Sequence, residues 1–274
     1  MNDPYLRMAR PLNCILASVS IPIIMVTLYG MESPGTWRLI YTILGMLVVS
    51  TFTAGGNALN DYYDREGDMI NHPKRPIPAG DVTPENALRF SIALFITSII
   101  LSLLLPWFIP QLIVVVSVAI MISYELKLKY IGLPGNASIS WLTGSLFVFA
   151  GAIYGRYEVP LVLGTLAFLA TMGREIAKDI QDMKGDVNRR TFPKRVGVRW
   201  AKILASVMVI AAILISPYPF LQGLLSHSYL VLVMMANIIF IYSLTIFKEP
   251  KKTQNFIKLG MVVALLAFLF GGIL

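Results

Sequence analysis

Nine apolar runs of about 20 residues recur along this chain, at roughly 11–30, 39–60, 86–105, 111–127, 137–155, 160–180, 200–216, 228–247 and 256–274. A helix of that length spans the ~30 Å hydrocarbon core of a bilayer and satisfies its own backbone hydrogen bonds. The runs are apolar throughout, whereas the strands of a membrane β-barrel alternate apolar and polar residues. Proline and glycine punctuate them, as at Pro106 to Pro110, Pro134-Gly135 and Pro217 to Pro219. The pattern predicts an all-α polytopic membrane protein of nine transmembrane helices, forming a single membrane domain over 1–274. Composition agrees: only 14% of the 274 residues are charged, against about 25% in a soluble domain.

Those few charges are unevenly placed. The N-terminal stretch, the loops after the even-numbered runs and the adjoining helix ends hold 21 of the 23 Lys and Arg residues and 13 of the 15 acids, which is the whole net charge of +8. Only Arg38, Arg156, Glu32 and Glu158 fall on the opposite side. The positive-inside rule makes the charged face cytoplasmic, with the N-terminus inside and the C-terminus outside a multi-pass cell-membrane protein. The basic excess therefore orients the chain, and no nucleic-acid partner is expected. The first run is longer than a signal-peptide core and no small-residue cleavage site follows it, so it is expected to remain as a span. Cys14 is the single cysteine, and His72 and His227 are predicted on opposite faces, so neither a disulfide nor a Cys or His pair for a metal is available.

Two acidic clusters stand out on the charged face. After the second run come Asn57, Asn60, Asp61, Asp64 and Asp68; at the end of the sixth come Glu175, Asp179, Asp182 and Asp186. Asn57, Asp61, Asp64 and Asp68 are spaced four, three and four apart, and so are Glu175, Asp179, Asp182 and Asp186. On a helix each set forms one stripe. Both runs point toward the cytoplasm, so each stripe lies at a helix C-terminus, where like charges repel and the dipole is also negative. A hard divalent cation offsets such a concentration of carboxylates. Oxygen-only ligands suit Mg²⁺, which takes one or two carboxylates together with substrate phosphates. The expected arrangement is two facing aspartate banks around a shared diphosphate.

Basic residues accompany the clusters. His72-Pro-Lys74-Arg75-Pro-Ile-Pro-Ala-Gly80 follows the first, its prolines stiffening the loop, while Tyr124, Lys127 and Lys129 follow the fourth run and Arg10 and Asn13 lead into the first. Arg174 and Lys178 flank the second cluster. Lys and Arg at these positions fit phosphate recognition.

Taken together these segments resemble the UbiA-type intramembrane prenyltransferases. The family's Asn-Asp-x-x-Asp-x-x-x-Asp motif is matched by Asn60 to Asp68, its Asp-x-x-Asp-x-x-x-Asp motif by Asp179 to Asp186, its Arg-Pro-Ile-Pro-x-Gly loop by Arg75 to Gly80, and its Tyr-x-x-Lys-x-Lys segment by Tyr124 to Lys129. The resemblance covers essentially the whole chain. It implies nine helices around a central lipid-accessible cavity capped by cytoplasmic loops, and transfer of a prenyl group from an allylic diphosphate to a lipid-soluble acceptor. It implies Mg²⁺ held by Asp61, Asp64, Asp68, Asp179, Asp182 and Asp186, with Asp61, Asp68, Asp179 and Asp186 as the catalytic carboxylates and Asp68 as the candidate proton acceptor. Substrate contacts are implied for Arg10, Asn13, Asn57, Asn60, Lys74, Arg75, Tyr124, Lys127, Lys129, Arg174 and Lys178. The opening Arg10-Pro-Leu-Asn13-Cys14 and the segment Arg174 to Asp186 resemble the archaeal branch. That branch adds a second geranylgeranyl chain to geranylgeranylglyceryl phosphate. An aromatic acceptor of a quinone or haem pathway is the alternative.

Other features have plainer readings. Trp37, Trp107 and Tyr218 fit an interfacial aromatic belt. Gly144, Gly151 and Gly164 are expected at close helix contacts, and Asn136 as a helix cap. A cation transporter, the rival of another class, calls for acids at mid-membrane depth, and the runs are nearly free of charge there. The Asp-Gly-x-x-Ala-Arg signature of CDP-alcohol phosphotransferases is absent from both clusters.

Overall fold

A computed structural model describes residues 3–31, 35–183 and 191–273. Its helices are, in order, α1 (Pro4–Ala9), α2 (Pro11–Ser18), α3 (Ser20–Tyr29), α4 (Thr36–Tyr63), α5 (Arg65–Asn71), α6 (Pro84–Ser102), α7 (Phe108–Leu126), α8 (Leu133–Ala152), α9 (Glu158–Asp182), α10 (Phe192–Val196), α11 (Val198–Ile215), α12 (Tyr218–Leu221), α13 (His227–Thr245) and α14 (Pro250–Ile273), with one 3₁₀ turn at Leu128–Tyr130. No strand is present among the described residues.

Eight helical segments among the described residues are long and apolar enough to cross a membrane. The fifth predicted run corresponds to α8, a 20-residue helix without a charged residue. It falls short of the other eight in hydropathy because Asn136, Ser138, Ser140, Thr143 and Ser145 interrupt its apolar sequence. Leu, Ile and Val side chains stand exposed along the remaining spans, as at Ile43, Ile96, Val207, Leu214 and Ile238, the surface a lipid-facing helix presents.

The described residues gather into two compact units. The first contains 3–22, 35–126 and 152–155; the second contains 23–31, 127–151, 156–183 and 191–273. In the first, α4 packs on α6 and α7. Ser91 Oγ donates to the Gly55 carbonyl (2.8 Å) and Ser98 Oγ to the Val48 carbonyl (3.0 Å), side-chain links of the kind that join helices where no hydrophobic force acts between them. In the second, α8 and α9 approach at Gly144 and Gly164. A Cβ on Gly144 would lie 2.6 Å from the Gly164 carbonyl oxygen, and one on Gly164 2.7 Å from that of Gly144. Gly151 lies likewise against Pro160. The expected close contacts of these three glycines are therefore present.

Candidate active site

The first acidic bank belongs to the first unit. Asn57, Asn60 and Asp61 occupy the last turns of α4, which ends at Tyr63. Asp64, at φ −90° and ψ 5°, joins α4 to α5. The row expected on one helix therefore breaks at Asp64, although the Asp64 N–H to Asn60 C=O bond (2.8 Å) and the Asp68 N–H to Asp64 C=O bond (2.9 Å) keep the helical spacing. The break has an electrostatic rationale. It puts Asp68 in the first turn of a new helix, where the dipole favours an acid, instead of beyond the negative end of α4.

Asp61 and Asp68 are buried, 1% and 5% exposed. A buried carboxylate is costly unless it is paired or hydrogen-bonded, and two arginines offset that cost here. Arg10 pairs with Asp61, and Arg75 bridges Asp68 and Asp61, 3.4 Å from the Asp61 Oδ1. Asp64 is only half-buried and accepts from Asn60 Nδ2 at 2.9 Å. The three aspartates expected to act alike as metal ligands are thus of two kinds. Asp61 and Asp68 are engaged with guanidinium groups, and Asp64 with the Asn60 carboxamide. Asp68, the expected proton acceptor, has its carboxylate paired with Arg75.

Both arginines are placed by their backbone. Arg10 ends α1 and begins α2 at φ 52° and ψ 70°, the one non-glycine residue with positive φ among the described residues. Such a conformation is costly and persists where surroundings enforce it. Asn57, an expected substrate ligand, helps to do so by donating from Nδ2 to the Ala9 carbonyl (2.8 Å) and so braces the turn. Arg75 stands on a loop anchored by Ile77 and Val82, which bury themselves against Met8, Ala58 and Ala87. Asp81 ties the same loop to Arg7. Lys74 and Asn13 are exposed and form no hydrogen bond or ion pair with the bank among the described residues.

The second bank belongs to the second unit. Glu175, Asp179 and Asp182 share the last turns of α9, as the spacing predicts; Asp186 lies outside the described residues. Glu175 is buried and pairs with Arg174 and, at 3.7 Å, with Lys178. Asn136 is not a helix cap. It lies within the first turn of α8, which begins at Leu133, and its Nδ2 donates to Asp179 Oδ2 at 3.0 Å. Lys129 is buried, its ammonium 5.4 Å from the Tyr130 ring centroid. Lys127 is exposed, and in the first unit Tyr124 is half-buried near the end of α7. On α9, Arg174 Nε and Thr171 Oγ1 are buried donors without a hydrogen-bond partner.

Two residues missed by the sequence reading now join the site. One is Asn136. The other is Glu125, the single charged residue of α7, 1% exposed, which accepts from Asn60 Nδ2 at 3.0 Å. A lone acid closing an otherwise apolar helix was the available signal.

The donor groups around both banks are carboxylate and carboxamide oxygens. No three acid, His or Cys side chains converge on one point among the described residues. That set fits Mg²⁺, which relies on few carboxylates and completes its shell with phosphate and water oxygens.

Residues 19–270 match the UbiA prenyltransferase family. The chain belongs to this family. Among its relatives are the digeranylgeranylglyceryl phosphate synthases of Methanosphaera stadtmanae, 35% identical over 99% of this chain and 100% of that protein, and of Methanothrix thermoacetophila, 37% identical over 97% and 98%. A solved structure concerning digeranylgeranylglyceryl phosphate synthase in membranes superposes with a TM-score of 0.88 at 32% identity, over 98% of both chains. A UbiA homologue from Archaeoglobus fulgidus, bound to GPP and Mg²⁺, shares the fold at a TM-score of 0.70 and 18% identity, over 96% of this chain and 99% of that one.

Proposed function

We propose that this UbiA-family enzyme transfers a geranylgeranyl group from its diphosphate to geranylgeranylglyceryl phosphate, giving digeranylgeranylglyceryl phosphate and diphosphate. The observation that carries this reading is the near full-length identity to digeranylgeranylglyceryl phosphate synthases, 35% and 37%, on a chain with both acidic banks. We also propose that the charged face is cytoplasmic, with the N-terminus inside and the C-terminus outside, because the basic excess lies there. α8 is proposed as the ninth span.

The chemistry follows from the residues. The C1–O bond of the allylic diphosphate breaks, an ether bond to the acceptor oxygen forms, and the acceptor's proton leaves. Each bank would hold Mg²⁺ within its own unit, through Asp64 and Asn60 in the first and through Asp179, Asp182 and Asn136 in the second, with Asp186 outside the described residues; Mg²⁺ would neutralise charge developing on the leaving group. Asp61 and Asp68 fix Arg10 and Arg75 so that the guanidinium groups offer paired donors to phosphate oxygens, as planar forks do well. Thr171 and Arg174 supply buried donors not matched within the protein, and Lys127, Lys129 and Lys178 supply cations for an acceptor that is itself a phosphate. Apolar surroundings keep water from the allylic cation and bury the prenyl tail at about 0.8 kcal/mol per CH₂. A pocket of about 170 Å³ in the second unit, lined by Phe147, Leu166, Ala167 and Phe240, supports an apolar berth for part of that chain.

Competition tests the acceptor class. With labelled geranylgeranyl diphosphate and Mg²⁺, geranylgeranylglyceryl phosphate should be alkylated ahead of an equimolar 4-hydroxybenzoate. Preferential labelling of the aromatic acid contradicts the proposal.

A further inference from the structure

The buried carboxylate of Glu125 has no place in the chemistry above, yet it lies one hydrogen bond from the first bank. An acid 1% exposed is expensive to bury and requires a compensating group. One such group is neutral: Asn60 Nδ2 donates to Glu125 Oε1 at 3.0 Å and to Asp64 Oδ2 at 2.9 Å. A carboxamide has two N–H donors on one nitrogen and its acceptor oxygen on the opposite arm. With both donors taken by carboxylates, flipping the amide would press its oxygen against two anions. The orientation of Asn60 is thereby fixed, with Oδ1 turned away from Glu125 and Asp64.

We propose that Glu125 is a positioning residue. Through the Glu125–Asn60–Asp64 chain of hydrogen bonds it locks the Asn60 carboxamide, so that Asn60 Oδ1 keeps a single orientation for the cation and the diphosphate and the Asp64 carboxylate keeps its place beside Nδ2. The inference rests on the reading that this bank holds a divalent metal with the substrate. The role needs a hydrogen-bond acceptor at the end of α7 with the reach of Glu. Negative charge is not what matters, so Gln serves and Leu or Asp does not.

The test uses Mn²⁺ as a spectroscopic substitute, titrated by electron paramagnetic resonance into the full-length detergent-solubilised protein with an unreactive thio-analogue of geranylgeranyl diphosphate. Loss of groups that orient metal ligands weakens metal binding by about 10- to 100-fold. Glu125→Leu should therefore weaken Mn²⁺ binding about 10-fold or more, and Glu125→Gln should restore it to within about threefold of wild type. Asn60→Ala should weaken it similarly, and the double variant Asn60→Ala/Glu125→Leu should be no worse than Asn60→Ala, because Glu125 acts through Asn60. Should Glu125→Leu fail to assemble, Glu125→Asp, which keeps the charge but shortens the arm, should reproduce the loss. Unchanged Mn²⁺ binding in both Glu125→Leu and Glu125→Asp, additive losses in the double variant, or a Glu125→Gln variant as weak as Glu125→Leu would overturn the proposal. If Asn60→Ala itself binds Mn²⁺ as wild type does, the metal reading of the bank fails, and the role of Glu125 with it.

Discussion

Arg10 forms its ion pair with Asp61 from the one left-handed non-glycine backbone among the described residues. A strained turn and a buried acid, 51 residues apart in sequence, are thus parts of one device. Truncating Arg10 leaves Asp61 with Arg75 alone, at 3.4 Å. Arg10→Ala should cost about 2 kcal/mol, the scale of a hydrogen bond to a charged group, and lower turnover at least tenfold. Arg10→Lys should recover stability better than activity, because an ammonium lacks the planar fork. Thermal unfolding in detergent and steady-state rates at saturating substrate check both statements; full activity in Arg10→Ala would contradict them.

The Asn136–Asp179 bond predicts a separable effect in the second bank. Asn136→Ala should raise the Mg²⁺ concentration giving half-maximal rate about tenfold. Asn136→Asp should be worse than Ala, since it puts a like charge 3.0 Å from Asp179. Mg²⁺ titrations of the rate decide it, and equal behaviour of the two variants would remove the electrostatic argument.

Asp61→Ala and Asp179→Ala should each abolish detectable turnover while the protein stays folded, for different reasons. The first releases the two arginines, and the second removes a proposed metal ligand. Prenyl diphosphate retention on the purified variants, measured in Mg²⁺ and again in EDTA, separates them: Asp179→Ala should respond to the metal more weakly than wild type, whereas Asp61→Ala should keep the wild-type response.

Helix contact in the second unit predicts stability changes away from the site. Gly144→Ala should destabilise by about 1–3 kcal/mol, the usual cost of overpacking, since the new Cβ meets the Gly164 carbonyl. Gly67→Ala, in α5 with open space around it, should be neutral or stabilising by up to about 1 kcal/mol. A melting temperature for Gly144→Ala equal to wild type would show that α8 and α9 are less closely packed than described.

Much of this was legible in the sequence because the governing forces are local. Run length specifies a spanning helix, and a four-three-four spacing specifies a helical stripe, as Glu175, Asp179 and Asp182 on α9 bear out. The illegible part is tertiary. Nothing local reports that the first stripe bends at Asp64, that Asn57 braces a turn 48 residues away, or that Asn136 reaches Asp179. α8 shows the limit in another way: its polar residues, which lower its hydropathy below that of the eight candidate spans, include the Asn136 that holds an aspartate. Glu125 was in view but unassigned, since only packing brings α7 to Asn60.

The acceptor defines the reaction. The most direct measurement incubates the purified protein with Mg²⁺, radiolabelled geranylgeranyl diphosphate and geranylgeranylglyceryl phosphate, and follows lipid product and diphosphate together. One diphosphate should be released per digeranylgeranylglyceryl phosphate formed, and none when Mg²⁺ is chelated. Diphosphate release without the doubly alkylated phospholipid, or transfer only to an aromatic acceptor, would contradict the proposed acceptor.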